Sequence, residues 1–166
     1  MLNQKRKEII TEVCQKLIQA SSSSGKEEEA VKTAKKYMEA FNFDEIIIDE
    51  YGSLLGRIKG SAAGKKILLD GHLDTVAVDQ KRWSIDPFQA EIRNDKIYGR
   101  GSSDMKGALA AMLAAAAFFK EDKQFKGDIY LSFTVFEELF EGVAARKISE
   151  FVDPDFVIIG EASNLK

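Results

Sequence analysis

The chain has 166 residues, of which 45% are hydrophobic, so it is long and apolar enough to form one domain with a buried core. Its 24 Lys and Arg and 27 Asp and Glu give a net charge of −3. No basic run is present that would follow a phosphate backbone, so nucleic acid is not expected as a partner. The most apolar stretch, 108–119, is much shorter than the roughly 20 residues that span a bilayer, so no membrane association is expected.

The N-terminal segment and the single cysteine both favour a cytoplasmic protein. The first residues, M-L-N-Q-K-R-K-E, lead into charged amphipathic sequence rather than into the apolar segment and cleavage site of a signal peptide. Cys14 lies among apolar residues at helical spacing, which predicts a buried free thiol. A reducing, cytoplasmic location is therefore expected.

Two amphipathic helices are predicted at the start of the chain. The first has an apolar stripe formed by Ile9, Ile10, Val13, Cys14, Leu17 and Ile18, and the second has one formed by Val31, Ala34, Tyr37, Met38 and Phe41. The sequence S-S-S-S-G-K-E lies between them. Ser24 followed three residues later by Glu27 predicts a capping box, in which each side chain accepts a backbone N–H at the start of the second helix.

Strands and turns follow the two helices. Residues 46–48 and 54–58 are predicted strands joined by a turn at 51–53. The run I-L-L-D at 67–70 is apolar on both faces, which is typical of a central strand. A long connection at 73–103 comes next, in which Asn94 and Asp95 could turn a short hairpin.

The remaining sequence predicts helices that alternate with strands. A helix extends from about Met105 to Lys120, and the strand I-Y-L-S-F-T-V-F follows it at 129–136. The next helix is marked by Phe140, Val143, Ala144, Ile148 and Phe151. The strand D-F-V-I-I-G comes last. This alternation predicts an α/β fold with a largely parallel sheet and flanking helices.

Polar residues with metal-binding side chains follow the predicted strands. They are His72 and Asp74 after I-L-L-D-G, Glu137 and Glu138 after the strand at 129–136, and Glu161 after F-V-I-I-G. The carboxyl ends of parallel strands meet at one edge of the sheet, where ligands of open α/β sheets bind, so these side chains should converge. Asp104, at the start of the long helix, can be folded back to the same edge.

Several carboxylates at one edge would repel each other unless a cation neutralised them. Imidazole nitrogen with carboxylate oxygen suits Zn²⁺, Co²⁺ or Mn²⁺, and the absence of thiolates argues against a structural cysteine zinc site. Two metals about 3.5–4 Å apart that share a carboxylate can activate a water for attack on a carbonyl. One carboxylate must then stay free as the base. Adjacent Glu137 and Glu138 can divide these roles only if the backbone is irregular beyond the strand.

Each of these residues also has a simpler interpretation. His72 and Asp74 could be a satisfied polar pair, and Asp104 could be a helix N-cap. The two adjacent glutamates could lie in a solvated loop, and Glu161 could be structural. The sequence G-R-G-S-S-D-M-K-G also resembles a nucleotide-binding loop, but an aspartate at its sixth position would repel a pyrophosphate at the helix N-terminus.

Four motifs in order carry a resemblance to a known family. They are G-H-L-D-T-V at 71–76, Y-G-R-G-S-S-D-M-K-G at 98–107, F-E-E at 136–138 and G-E-A-S at 160–163. Together they resemble the M20 family of metallopeptidases and amidohydrolases, which includes acetylornithine deacetylase, succinyl-diaminopimelate desuccinylase, aminoacylases and glutamate carboxypeptidases. The resemblance spans almost the whole chain.

The resemblance implies a two-zinc centre. By the family's pattern, His72 and Glu161 are ligands of the first metal, Asp104 bridges the two metals, and Glu138 is a ligand of the second. Zn²⁺ is the expected ion, with Co²⁺ or Mn²⁺ as alternatives.

The resemblance also implies the catalytic groups. Glu137 is expected to be the general base that takes a proton from the attacking water and later delivers it to the leaving nitrogen. Asp74 is expected to orient His72. The family often has a cis peptide after the bridging aspartate, which here is the Asp104–Met105 bond.

The chain departs from the family in length and in its histidines. The family's members are much longer, with an inserted lid or dimerisation domain and a further catalytic segment that supplies a second metal-binding histidine. This chain has only His72. We therefore expect residues 1–166 to be the N-terminal portion of a catalytic metallohydrolase domain, with the lid and C-terminal segment absent and the second metal site incomplete.

These features predict the activity of the parent enzyme. It should hydrolyse an amide bond in an N-acyl amino acid or a small peptide, as a deacetylase-type hydrolase or a peptidase that forms a homodimer through the absent domain. The isolated chain should be inactive or weakly active. The alternative is a non-catalytic module that acts through self-association or through pairing with a missing C-terminal half.

Overall fold

The computed structural model of the chain describes residues 3–121 and 125–163. The α-helices within this part are α1 (Gln4–Gln19), α2 (Glu28–Ala40), α3 (Gly107–Glu121), α4 (Glu137–Phe140) and α5 (Val143–Val152). The strands are β1 (Glu45–Ile48), β2 (Leu54–Lys59), β3 (Lys66–His72), β4 (Glu91–Arg93), β5 (Lys96–Tyr98), β6 (Asp128–Thr134) and β7 (Phe156–Ile159). No helix in the described ranges is long and apolar enough to cross a membrane.

Five strands form one sheet in the order β1-β2-β6-β3-β7. Strand β3 pairs in parallel with β6 on one side and with β7 on the other. Strand β2 is antiparallel to both of its neighbours, so it alone runs against the other four. The predicted α/β fold with a largely parallel sheet is therefore confirmed, and the run I-L-L-D lies in an interior strand as expected.

Helices cover the two faces of the sheet unequally. Helices α1, α2 and α3 pack together on one face and form the main apolar core with residues such as Leu17, Met38, Leu113 and Phe133. Helix α5 covers part of the other face, where Ile148 and other apolar side chains form a smaller cluster. Cys14 lies in the main core as predicted, and burial raises the pKa of its thiol to about 11.

The predicted hairpin at Asn94 and Asp95 is present. Both residues have positive φ angles, 49° and 59°, and they join the antiparallel strands β4 and β5. Asparagine and aspartate tolerate this left-handed conformation better than most residues, which explains why they stand at the turn.

The predicted capping box is wrong. Helix α2 begins at Glu28, and Glu27 precedes it without a capping hydrogen bond from its side chain. The Ser24 hydroxyl instead donates to Asp74, and Glu27 Oε1 accepts the backbone N–H groups of Gly25 and Phe136. The pattern was misleading because both side chains find partners that are distant in sequence.

The helix predicted from the apolar residues that begin at Phe140 is present as α5, but Phe140 itself lies in the separate helix α4. Positive φ angles at Glu141 and Gly142 separate α4 from α5. Helix α5 buries Ala144, Ile148 and Val152, which are four residues apart. The side chains of Phe140, Val143 and Phe151, three of the residues from which the helix is predicted, are exposed.

Candidate metal centre

His72 ends strand β3 and lies at the carboxyl edge of the sheet, where its side chain is only 3% exposed. Its Nδ1 lies 2.9 Å from the backbone oxygen of Asp74, on the buried side of the ring. Its Nε2 faces a group of carboxylates. The ring is thus held by its inner nitrogen, and the outer nitrogen is the one available to a metal.

Three carboxylates lie close to the outer nitrogen of His72. The distances from Nε2 are 3.0 Å to Asp104 Oδ1, 3.5 Å to Glu161 Oε1 and 3.9 Å to Glu137 Oε2. A ligand atom of Glu138 also lies within 4.8 Å of ligand atoms of His72 and Asp104. The structure therefore brings together all the residues that the sequence predicted for this site.

Asp104 reaches the site because the chain is irregular before α3. A π-helical turn, Ser102–Lys106, follows Gly101, and the backbone angles of Asp104 (φ −127°, ψ 95°) depart from helical values. The peptide bond between Asp104 and Met105 is cis, as the resemblance implied. The N-cap position before this turn belongs to Gly101, and the Asp104 carboxylate is directed at His72.

Glu137 and Glu138 reach the site through a sharp turn after β6. Phe136 has a positive φ of 62°, and the short helix α4 begins at the next residue. A continuing strand would send the two glutamates to opposite faces, whereas the first turn of a helix presents both near the same edge. The irregular backbone that the division of roles requires is present.

Asp74 is a fully buried carboxylate that joins the parts of the site. Its Oδ1 accepts the backbone N–H of Glu137 at 3.1 Å and lies 3.5 Å from His72 Nδ1. Its Oδ2 accepts the Ser24 hydroxyl at 2.6 Å and the backbone N–H of Glu138 at 3.2 Å. Burial alone would raise its pKa, but these hydrogen bonds outweigh burial and lower the pKa of Asp74.

Acidic side chains outnumber the single imidazole at the site. Burial disfavours the charged form of His72, but its hydrogen bonds with Asp74 and Asp104 and the charge of Glu161 raise its pKa to about 9. Burial, together with the neighbouring acidic groups, raises the pKa of Glu137 and of Glu138 despite the opposing effect of His72. One imidazole thus faces several carboxylates, and this donor set suits a divalent cation.

Sequence reasoning missed a buried lysine next to the site. Lys106 is almost completely buried, and its Nζ donates to the backbone oxygens of Leu17 and Ala20 at 2.8 and 2.9 Å. Burial lowers its pKa to about 8. It ties the turn that carries Asp104 to the end of α1. A lysine at the start of an otherwise apolar helix was the available signal.

Known proteins resemble this chain in sequence and in fold. The sequence profile of peptidase family M20/M25/M40 matches residues 68–166. A succinyl-diaminopimelate desuccinylase of Buchnera aphidicola subsp. Acyrthosiphon pisum (strain APS) is 35% identical over 164 residues, covering 93% of this chain and 43% of the relative. An acetylornithine deacetylase of Buchnera aphidicola subsp. Schizaphis graminum (strain Sg) is 43% identical over 101 residues, 60% of this chain and 26% of the relative.

A solved structure agrees with these matches. An M20 family metallo-carboxypeptidase of Sulfolobus solfataricus superposes with a TM-score of 0.77 and 24% identity over 95% of this chain and 37% of that one. This likeness shows a shared fold, and the chain spans less than half the length of these three proteins. The profile match covers well over half of the 166 residues, so the chain belongs to peptidase family M20/M25/M40.

Proposed function

We propose that this chain carries most of the metal centre of an amide hydrolase that acts on N-acyl amino acids or small peptides. The observation that carries the proposal is the geometry at His72, whose outer nitrogen lies 3.0 Å from Asp104 and 3.5 Å from Glu161. Glu138 lies within 4.8 Å of His72 and Asp104. An imidazole with several carboxylates is a ligand set that Zn²⁺, Co²⁺ and Mn²⁺ accept.

The ligands divide into two sets around Asp104. His72, Glu161 and Asp104 would hold a first ion, and Glu138 and Asp104 would hold a second. A bound divalent ion would supply Lewis acidity and lower the pKa of a water molecule. Asp104 suits the bridging position because its side chain is 59% exposed and its ligand atom lies within 4.8 Å of those of His72 and Glu138.

Glu137 is the proposed general base. Its carboxylate lies at the rim of the ligand set, 3.9 Å from His72 Nε2, and burial raises its pKa above the usual value. A base with a raised pKa holds a proton more readily between its removal from water and its delivery to the leaving nitrogen. Asp74 accepts the backbone N–H of Glu137 and so fixes the position of the Glu137 carboxylate.

The second ion needs a further protein ligand, which the proposed ligands among residues 1–166 do not supply. His72 is the only histidine in the sequence, so a second histidine must come from another polypeptide segment. We infer that residues 1–166 act as the N-terminal portion of a larger catalytic domain. The lengths of the relatives, more than twice that of the matched region, support this inference.

The substrate class is proposed from the relatives. Two are named as a desuccinylase and a deacetylase that act on amino acid derivatives, which supports an N-acyl amino acid. The solved structure is named as a metallo-carboxypeptidase, which supports a small peptide. Both substrates contain an amide carbonyl that the same chemistry can attack.

Calorimetric titration of the metal-free chain with Zn²⁺ tests the metal centre. The wild-type chain should bind zinc, and His72→Ala or Asp104→Asn should weaken binding at least about tenfold because each removes a ligand. Glu137→Gln should leave the affinity nearly unchanged because Glu137 is the free base. Glu150→Gln, on the exposed side of α5, is the control for loss of a surface carboxylate.

Turnover is tested after zinc loading, with N-acetyl amino acids, N-succinyl amino acids and dipeptides as substrates. The chain alone should hydrolyse little substrate. Adding the part of the desuccinylase relative that this chain does not match, as a separate polypeptide, should raise activity. Glu137→Gln should then abolish turnover while zinc stays bound. Zinc affinity that is unaffected by His72→Ala would contradict the proposed site, and robust activity of the 166-residue chain alone would contradict the proposed incompleteness.

A further inference from the structure

We propose that Ser24 is a positioning residue of the metal centre, acting through Asp74 on the histidine and the two glutamates. The inference rests on the proposed metal-binding function and extends the site to the serine-rich loop, residues 21–24. Ser24 Oγ donates to Asp74 Oδ2 at 2.6 Å, a short hydrogen bond to a carboxylate that is fully buried. Hydrogen bonds to an ionised acceptor are about twice as strong as neutral ones.

The effect of Ser24 can reach the site because Asp74 contacts His72, Glu137 and Glu138. Asp74 Oδ2, which accepts the Ser24 hydroxyl, also accepts the backbone N–H of Glu138. Asp74 Oδ1 accepts the backbone N–H of Glu137. Asp74 Oδ1 also lies 3.5 Å from His72 Nδ1. A buried carboxylate that loses one of its donors is free to reorient, and that movement shifts the groups bonded to it.

The serine-rich loop is held rigidly enough to impose a position. Ser22 Oγ donates to the backbone oxygen of Leu73 at 2.7 Å, and the Thr75 N–H donates to the backbone oxygen of Ser22 at 2.9 Å. These bonds fix the loop to the residues on both sides of Asp74. The Ser24 hydroxyl is therefore presented to the carboxylate by a fixed backbone.

A second connection joins the same loop to the glutamate turn. Glu27 is buried, and its Oε1 accepts the backbone N–H of Gly25 at 2.8 Å and that of Phe136 at 3.2 Å. Phe136 is the residue with positive φ that turns the chain into Glu137. The segment before α2 thus holds the glutamates both through Asp74 and through Phe136, which a role limited to capping α2 would not require.

The four consecutive serines provide a matched set of variants. Ser24→Ala removes the hydroxyl, Ser24→Thr keeps one, and Ser21→Ala removes a hydroxyl from an exposed residue of the same loop. Ser24→Ala should weaken zinc binding about tenfold, at the low end of what loss of a group behind a metal ligand costs. It should also change the visible absorption spectrum of the Co²⁺-loaded chain. Ser24→Thr should restore most of both properties, and Ser21→Ala should match the wild type.

A double-mutant cycle with Asp74→Asn tests whether Ser24 acts through Asp74. In the Asp74→Asn background, Ser24→Ala should change zinc affinity less than about twofold, because the acceptor that transmits its effect is already altered. Wild-type affinity and an unchanged cobalt spectrum in Ser24→Ala would overturn the proposal. A tenfold loss that persists undiminished beside Asp74→Asn would overturn it as well.

A metal-free measurement separates this inference from the proposed function. Backbone N–H exchange at Glu137 and Glu138 should be faster in Ser24→Ala than in the wild type or in Ser21→Ala, since these amides are bonded to Asp74. If the wild-type chain binds no zinc, the proposed function fails while this exchange result still decides the role of Ser24. Unchanged exchange at both glutamates would show that Ser24 positions neither of them.

Discussion

At the scale of single residues, His72 and Asp74 show how two side chains close in sequence take different roles. The backbone oxygen and carboxylate of Asp74 face the inner nitrogen of His72, so the outer nitrogen points to Asp104. The pattern H-x-D predicted that the two residues interact. It did not predict that Asp74 also bonds the backbone of Glu137 and Glu138, because those contacts depend on a turn more than sixty residues away.

Gly71, next to His72, is predicted to be required for the position of Asp104. A Cβ atom at Gly71 would lie 2.3 Å from Met105 Cε and 2.9 Å from Leu109 Cδ2. Met105 is fully buried, and its sulfur accepts the His72 backbone N–H, so the methionine can give way only by disturbing the site. Gly71→Ala should destabilise the fold by about 1–3 kcal/mol through overpacking.

Zinc affinity should fall together with stability in Gly71→Ala, because the displaced Met105 is bonded to Asp104. Chemical unfolding of the metal-free variant and zinc calorimetry measure the two effects separately. A variant with wild-type stability and affinity would show that the methionine repacks without moving its neighbour.

At the scale of elements, irregular backbone decides where the ligands lie. The π-helical turn Ser102–Lys106 turns Asp104 toward His72, and the positive φ of Phe136 starts α4 immediately after β6. Both segments look ordinary in sequence, and the helix at 105–120 was predicted with nearly correct bounds. Local sequence patterns predict where a helix lies, but the conformation of its first turn depends on what packs against it.

Lys106 is predicted to hold the Asp104 turn against helix α1. Its buried ammonium group bonds two backbone oxygens at the end of α1, where a positive charge also suits the helix dipole. Lys106→Met would leave the oxygens of Leu17 and Ala20 without these bonds and should cost about 2 kcal/mol of unfolding free energy.

Chemical denaturation of the Lys106→Met variant measures this loss. Lys7→Met changes an exposed lysine on helix α1. Its unfolding free energy should stay within about 0.5 kcal/mol of the wild-type value. Equal stabilities of the two variants would exclude the structural role proposed for Lys106.

At the scale of the whole molecule, one edge of the sheet is unusually apolar and open. The four residues of β7 are between 47% and 61% exposed, and β3 is the only strand that pairs with β7 among the described residues. Phe151 of α5 adds a further exposed apolar side chain. An uncharged edge strand with free backbone groups readily pairs with another chain.

The 166-residue chain is therefore predicted to self-associate in solution through β7. Ile158→Lys places a charge in the middle of this strand and should shift the chain toward the monomer in sedimentation or size-exclusion measurements made over a range of concentrations. Ile92→Lys is the control, because Ile92 is similarly exposed but lies in the β4–β5 hairpin. Self-association that both variants retain equally would place the contact elsewhere.

Local sequence patterns are sufficient to predict the fold class, the strands that end at the site and the polar side chains that follow them. Strand and helix periodicity reflect which faces are buried, and the order of the elements places the carboxyl ends of β3, β6 and β7 together. The residues after those strands, from His72 to Glu161, are therefore expected at one edge of the sheet from the sequence alone. The tertiary structure brought their side chains together as that placement predicted.

The tertiary structure alone decided how the site is supported. Ser24 and Glu27 have the spacing of a capping box, yet their partners are Asp74 and the backbone of Phe136, which are distant in sequence. Lys106 directly precedes the apolar helix α3 but bonds the end of α1. A local pattern records which contacts a residue can make with its neighbours in sequence. Which buried donor meets which buried acceptor across the chain is decided only when the core closes and every buried polar group requires a partner.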